Sequence, residues 1–522
     1  MLIHLLLAVL LEAPSVAVPD YIIQNVTIVD GSGAAAVRGS VAITGERISA
    51  IGTVAITGHP IIIDGTNLVV APGFIDLHTH CDSRAFMSPG SKERFNKCYV
   101  TQGVTTVVTG NCGAGPTDVA DYFARLEKNG VGTNVIHQIP HNSIRVLVMG
   151  NSNRVPTSAE LLAMERLVDR EMQHGCWGLS TGLIYTPGTF ARTEEIIDLA
   201  RVVAKHGGFY ASHIRDEGTG LNKSIEETLR IGREAKLPVH VSHIKCSGRS
   251  AWGHASDAIQ LILNARRDGY AITADQYPYI ASSTSLAATV IPTRFRTGTA
   301  KEYRQRFEDE QTGPAIRKAV ESALSRRKDG ATIQIARYAP KPAWQGRTIA
   351  AIARLEGKNG TDIVLEIEKN GGAGIVNFGM NEEDIRLFMK QPFVATASDG
   401  SSQIPGDTVP HPRNYGTFPR KIGAYAIQDG IISLEFAIRS CSGLPADILK
   451  LTDRGYLKKG YFADLVVFDP KKFRDRATYD KPHQYSAGLV YLFMNGSMVI
   501  NKGLYAECLP GKPIRHPEPS TD

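Results

Sequence analysis

The sequence predicts an α/β protein: a (β/α)8 barrel, a small β-sandwich domain built from both ends of the chain, and a cap inserted between the last two barrel strands. Three observations predict it. Strand-like and helix-like runs alternate through the middle of the chain, which is the pattern of βαβ units. Short apolar runs broken by Gly and Asp occur near both ends. One interval, about 283–391, is too long for a single crossover and interrupts the rhythm.

Residues 18–70 hold YIIQNVTIVDGSG, GSVAITGERISAIG and IIIDGTNLVVAPG, which read as antiparallel strands separated by turns. The same texture returns within 456–522, in GYFADLVVFDP and SAGLVYLFMNGSMVINKG, so both segments are assigned to one β domain. The barrel is assigned to 71–455. Ahead of these, residues 1–17 (MLIHLLLAVLLEAPSVA) form an apolar run with a small-residue end, the pattern of a secretory signal, although no Lys or Arg precedes the run and Glu12 interrupts it. A cleaved signal would make the protein periplasmic or secreted; without one it would be cytoplasmic.

The composition of the 522 residues, 43% hydrophobic and 21% charged, is that of a globular protein. The net charge of +6 comes from 58 basic and 52 acidic residues spread along the chain, which argues against a nucleic-acid partner. Beyond the N-terminal run, no segment approaches the roughly 20 apolar residues of a membrane span. Seven cysteines, an odd number with no C-x-x-C pair, argue against a disulfide framework.

Eight strands are expected, at 73–80, 105–112, 134–141, 176–183, 208–215, 238–245, 272–279 and 393–400. Helices are expected between them at 157–173, where Thr157 and Glu160 form a capping box, at 193–206 and at 224–235. Within the long interval, 301–328 is basic and helix-like. The site of such a barrel lies at the C-terminal ends of its strands, and those ends carry the chemistry. The first ends in His78-Thr79-His80, whose imidazoles share one side because side chains alternate along a strand. Later strands end in His213, His243 and Asp399. Imidazole and carboxylate together suit Zn²⁺, and a catalytic zinc keeps a position open for water. The second strand ends in Cys112 among glycines, either as a further ligand or as a buried structural cysteine.

Taken in order, HTH (78–80), GNCG (110–113), SHIRDEG (212–218), HVSHIK (240–245), SDG (398–400) and HPRNYGTFPR (411–420) resemble the amidohydrolase superfamily and, within it, the N-acyl-D-amino-acid deacylases, or D-aminoacylases. The resemblance covers almost the whole chain after Val18. It implies zinc-dependent hydrolysis of N-acyl-D-amino acids. Cys112, His213 and His243 would hold one zinc tightly, His78 and His80 would frame a second, weaker site, and Asp399 would be the catalytic acid and base. Related hydantoinase-like enzymes bridge their metals with a carboxylated lysine at the end of the fourth strand; here that strand reads CWGLSTGL, without lysine, which favours Cys112 as ligand. Arg413 is the candidate for the substrate α-carboxylate, since guanidinium pairs bidentately with carboxylate. By resemblance, Tyr185 and Lys245 complete the clamp, and either Ser283 or Ser285 adds a hydroxyl. The loop 400–413 is longer than is typical of the family and leaves the side-chain preference open. The alternatives are a cyclic amidase or dipeptidase of the same superfamily, and a barrel retained as a scaffold without catalysis.

Overall fold

The computed structural model describes residues 18–517. The candidate signal segment 1–17 lies outside the described residues.

Strands from both ends of the described chain join one nine-stranded sheet. Its order runs Leu504–Tyr505, Ser497–Asn501, Leu489–Met494, Leu465–Phe468, Val69–Pro72, Tyr21–Ile28, Val37–Thr44, Arg47–Gly52, with Ile61–Asp64 also paired to Tyr21–Ile28. The expectation of wholly antiparallel strands before residue 70 is corrected here. Ile61–Asp64 and Val69–Pro72 both run parallel to Tyr21–Ile28, in registers that include Tyr21 with Ile61 and Thr27 with Val69. A turn at Gly65, whose N–H donates to Gln24 O at 2.7 Å, offsets the chain between two short strands serving the same partner. Apolar alternation carries no strand direction, so the pattern could not reveal this.

A sandwich of two facing sheets was expected, and a single hydrogen-bonded sheet folded over its own core stands in its place. The edge strand Arg47–Gly52 returns to the segment before Leu465–Phe468: Ile48 N–H donates to Tyr461 O at 2.9 Å and Ala463 N–H to Glu46 O at 2.8 Å. Val26, Val41, Ile43, Leu465, Val467 and Phe493 fill the interior so enclosed.

The middle of the chain forms two parallel sheets. One orders Val394–Thr396, Ile272–Gln276, Val239–Val241, Phe209–His213, Gly178–Gly182 and Ile139–Pro140; the other orders Phe74–Asp76, Val104–Thr109 and Asn134–His137. Every one of the eight expected strand positions is a strand, each shorter than its apolar run. The two sheets meet at both edges. Asn134–His137 passes into Ile139–Pro140 through Gln138, and Thr79 bridges Gly400 in parallel. His80 N–H donates to Gly400 O at 2.6 Å and Asp399 N–H to His78 O at 2.8 Å. Amphipathic helices cover the strands. Ser158–Gln173 begins with the expected Thr157–Glu160 capping box, and Thr193–Lys205 buries Ile196, Ile197, Leu199, Ala200 and Val203. Leu221–Ala235 starts ahead of the expected residue 224, because Leu221 itself is buried and draws the first turn into the core.

The long interval is not purely helical. Ser282–Ser285, Gly374–Asn377 and Ile333–Arg337 form a three-stranded antiparallel sheet in that order. Against it lie Thr312–Ser325, Ile349–Glu356 and Gly360–Lys369, around a core that includes Ile316, Val320, Ile333, Ile335, Trp344 and Ile363. These strands escaped the sequence reading because each is only four or five residues long and Ser282–Ser285 is itself wholly polar. Glu382–Met389, in the same interval, packs back on Ala255–Arg267, with Gly253 N–H donating to Asp384 Oδ2 at 2.9 Å. Among the described residues, no helix is long and apolar enough to cross a membrane.

The separate core of the insertion generates a prediction. Ile335 is fully buried there, and Ile335→Ala should cost about 2–5 kcal/mol. Amide hydrogen exchange should show the loss across residues 282–377 while Phe209–His213 keeps its protection; equal loss in both would show that the insertion does not unfold as its own unit.

Candidate metal centre and cleft

Parallel strands send their C-terminal ends to one side of a sheet, where ligands collect. His78 and His80 follow Phe74–Asp76, His213 closes Phe209–His213, His243 lies two residues past Val239–Val241, and Asp399 lies three past Val394–Thr396. Cys112 sits in the turn after Val104–Thr109 with φ of +53°, and His243 and Asp399 are also left-handed, at +36° and +51°. Left-handed backbone is rare outside glycine and concentrates at functional sites. The Cys112 turn is possible because Gly110 and Gly113 bracket Asn111 and Cys112, at φ +76° and +70°. The Asn111 side chain pins it by donating to Val108 O at 2.9 Å and Leu77 O at 3.3 Å.

These strand ends bring the expected ligands into two groups that share Cys112. One is Cys112, His213 and His243; the other is His78, His80, Cys112 and Asp399, with the donor atoms of each group within 4.8 Å of one another. Cys112 Sγ lies 3.5 Å from His213 Nδ1 and 3.7 Å from His243 Nε2. Zinc bonds of about 2.3 Å to sulfur and about 2.0 Å to nitrogen, at a tetrahedral angle, separate the two donors by about 3.5 Å. The first group therefore fits zinc in both chemistry and spacing. In the second, His78 Nε2 is 3.2 Å from Cys112 Sγ and 3.5 Å from Asp399 Oδ1, and His80 Nε2 is 3.2 Å from Asp399 Oδ1.

Residues the sequence reading did not single out hold these ligands in place. Glu217 Oε1 lies 2.9 Å from His243 Nδ1 and pairs with Lys245, whose ammonium is 2.8 Å from the same nitrogen. Burial pushes the Glu217 carboxyl up, but Lys245, His213 and His243 outweigh it and hold the group well below the usual carboxylate range. Asp275 accepts from His243 N–H at 2.7 Å, lies 2.8 Å from His240 Nε2 and 3.6 Å from His78 Nδ1. That last separation exceeds a hydrogen bond, yet the charge favours the proton on Nδ1 and leaves Nε2 free to bind. Burial lowers His78 to about 4, so it is neutral near pH 7. One signal was available: Glu217 is an acid in the SHIRDEG run just past a strand, and Asp275 is an acid within an expected strand.

Asp399 faces a cation as well as the imidazoles. Arg413 Nη1 lies 2.7 Å from Asp399 Oδ2, and Arg413 is nine-tenths buried or more. Burial would raise the Asp399 carboxyl, but Arg413, His243, His78 and His80 together hold it well below its ordinary value. Arg413 Nε is buried with no hydrogen-bond partner, and Nη1 has the ion pair without hydrogen-bond alignment. The guanidinium therefore keeps donors for an incoming carboxylate. Lys245 and Arg413 stand against the same ring, that of Tyr277, at 5.6 and 4.8 Å from its centroid.

The remaining candidates line the space above. Ser283 and Ser285 border a cleft of about 1380 Å³ together with His80, Asp399 and Arg413. The backbone oxygen of Ser283, rather than its hydroxyl, meets Arg413 Nη2 at 3.4 Å, and the Ser285 hydroxyl caps Leu286–Val290 by accepting from Ala288 N–H at 3.2 Å. Thr284, between them, meets the Tyr185 hydroxyl at 3.0 Å. Tyr185 packs its ring edge-on to His213, centroids 4.9 Å apart, and borders a second recess of about 530 Å³ with His80, Cys112, Val146, Leu147 and Pro187.

Comparison with known proteins bears on this geometry. The model of the amidohydrolase family matches residues 62–500. A D-aminoacylase of Alcaligenes xylosoxydans xylosoxydans is 36% identical over 509 residues, covering 92% of this chain and 94% of that one. A solved D-aminoacylase, studied for the functional role of its binuclear metal centre, superposes with a TM-score of 0.81 at 33% identity, covering 95% of this chain and all of that one. The N-acyl-D-glutamate deacylase of Bordetella bronchiseptica, solved with zinc and a phosphonate mimic of its tetrahedral intermediate, gives 0.81 at 32% identity, covering 95% and 100%.

The turn that presents Cys112 should tolerate no side chain at Gly113. A Cβ there would stand 2.2 Å from Asn142 Oδ1 and 2.9 Å from Gly182 N, whereas one at Gly150, also left-handed at φ +63°, would meet nothing within 4 Å. Gly113→Ala should exceed the Gly150→Ala loss, itself about 1 kcal/mol, by another 1–3 kcal/mol in urea unfolding. Equal losses would show that the turn yields without strain.

Proposed function

Because the chain belongs to the amidohydrolase family, we propose that it hydrolyses N-acyl-D-amino acids to a carboxylate and a free D-amino acid, with zinc as cofactor. The observation that carries this reading is the meeting of the Cys112–His213–His243 group with Asp399 and the under-satisfied Arg413. A hydantoin or simple dihydropyrimidine ring carries no free carboxylate for such a cation to receive.

Zinc on Cys112, His213 and His243 would supply a Lewis acid for the amide carbonyl and make water a nucleophile near neutral pH by lowering its pKa from 15.7 toward roughly 7. His78 and His80, with Asp399 and Cys112, would frame the second, weaker site. The protein's own groups do the rest. Arg413 receives the substrate α-carboxylate, and in doing so releases part of its hold on Asp399. Asp399, ionised throughout the neutral range, takes the proton of the attacking water and passes it to the departing amine. Tyr185 and Lys245 complete the wall around the scissile amide, and Ser283 and Ser285 border the substrate. Glu217 and Asp275 orient His243 and His78.

The same reading places these groups at the mouth of a (β/α)8 barrel closed between Thr79 and Gly400, with the insertion of about 283–391 as a cap. It assigns 18–70 and 456–522 to a β domain and 71–455 to the barrel. Residues 1–17, if cleaved, would make the enzyme exported.

Purified protein with added zinc should cleave N-acetyl-D-amino acids and leave the L series and dihydropyrimidines untouched; cleavage of the L series alone would overturn the stereochemistry. Asp399→Asn should lower kcat by a factor of about 10²–10⁴ with tight zinc retained. Metal analysis divides the two groups: Cys112→Ala should lose the tight zinc, and His78→Ala should mainly lose the second ion. If both variants keep one tight zinc, the division between the groups is wrong.

A further inference from the structure

Away from this centre, unpaired positive charge surrounds a recess between the insertion and the loop that follows His243. The recess measures about 550 Å³ and is lined by Arg249, Arg326, Arg327 and Lys328, with no carboxylate residue on its walls, and by the aromatic rings of Trp252 and Phe378. Among the described residues none of these four cations forms a salt bridge, whereas nearby Arg317 pairs with Asp362 and Arg386 with Glu382. Two of the arginines are held by neutral groups: Arg326 Nη1 donates to Ser322 Oγ at 2.7 Å and Arg327 Nη1 to Ala323 O at 3.0 Å. Their place at the C-terminal end of Thr312–Ser325 accounts for part of the charge. Arg249, on the facing wall, follows Gly248 in a short turn and serves no such helix end.

Arg326 and Arg327 also line a second recess of about 350 Å³, behind the first. There Arg296 Nε is buried without a hydrogen-bond partner, while Arg215 is neutralised by Glu227 at 2.9 Å. Burial, then the adjacent Arg326 charge, holds Arg327 below ordinary arginine basicity. Gathering like charges with no acid between them costs free energy unless an anion compensates them.

The aromatic wall adds a second kind of contact. The Trp252 indole is fixed by its Nε1–H, which donates to Gly379 O at 2.9 Å, yet the residue is 37% exposed. The Arg249 guanidinium carbon lies 5.5 Å from its ring centroid. A fixed, partly exposed indole beside guanidinium groups can stack a planar ring while the arginines take phosphate oxygens in pairs. The volume is in the range of small-molecule sites, about 300–1,000 Å³.

We propose that this recess binds a small anion carrying two or more phosphate groups and a planar ring, the chemistry of a nucleoside diphosphate, with the phosphates on Arg249, Arg326 and Lys328 and the ring against Trp252. The site is independent of the hydrolytic reading, since none of its residues belongs to that machinery.

Calorimetric titration of the full chain with ADP, inorganic pyrophosphate and a short oligonucleotide tests it. ADP should bind more tightly than pyrophosphate. Its affinity should fall at least about tenfold in the double variant Arg249→Gln, Arg326→Gln, the loss expected for charged hydrogen bonds, and should also fall in Trp252→Ala. Both substituted arginines are exposed, and melting curves of each variant check that the fold is kept. The proposal is overturned if ADP does not bind or if the double variant binds it equally, which would place the anion in the cleft beside Arg413. It is also overturned if pyrophosphate matches ADP, or if only the oligonucleotide binds.

Discussion

Everything in the candidate centre depends on where one sulfur atom is held. Cys112 Sγ is the only donor common to both ligand groups, within 3.7 Å of three imidazole nitrogens. Burial raises its thiol well above the ordinary value, with Asp399 adding to the shift. A buried thiol among imidazoles is a poor arrangement unless a metal draws off the proton, because the thiolate is the form that binds metal. The backbone also works against it, since Cys112 is left-handed. The glycines on both sides and the Asn111 amide absorb that cost.

Around the sulfur, acids and bases are arranged so that few charges are alone. Glu217 answers Lys245 and Asp399 answers Arg413, while Asp275 is met by His240 Nε2 at 2.8 Å and by the His243 N–H at 2.7 Å. Breaking one member would leave its partner charged and buried, which is far more costly than never having the pair. Asp76 is the exception. It is fully buried, accepts from Ser398 N–H at 3.0 Å and His78 N–H at 3.1 Å, and desolvation raises it to about 7. Its place is structural: it ties the end of the first parallel strand to the end of the last, and so sets His78 and Asp399 at a common height.

The insertion contributes to the cleft without sharing the main core. Its sheet brings Ser283, Thr284 and Ser285 over the ligand groups, and its core of Ile316, Ile335, Trp344 and Ile363 is separate from the one beneath the parallel strands. A segment that packs on itself can vary its rim without disturbing the ligand groups. At this rim the Ser285 hydroxyl caps a helix, Ser283 meets Arg413 by its backbone oxygen, and the Thr284 hydroxyl meets that of Tyr185.

The sequence by itself determined what is local and repetitive. Apolar runs located eight strands, Thr157 and Glu160 located a helix start, and the residues that close the strands, His78 through Asp399, were legible because parallel strands must deliver their ends to one face. The order of motifs was enough to expect Cys112 as a ligand. Only the tertiary structure decided what depends on pairing and direction: that Ile61–Asp64 and Val69–Pro72 run parallel to Tyr21–Ile28, that three short strands pair into a sheet within the insertion, that Lys245 is bound to Glu217, and that Arg413 faces Asp399. The physical reason is common to all four. Backbone hydrogen bonds and ion pairs join residues far apart in the chain, and neither strand direction nor the partner of a charge leaves a period in the sequence.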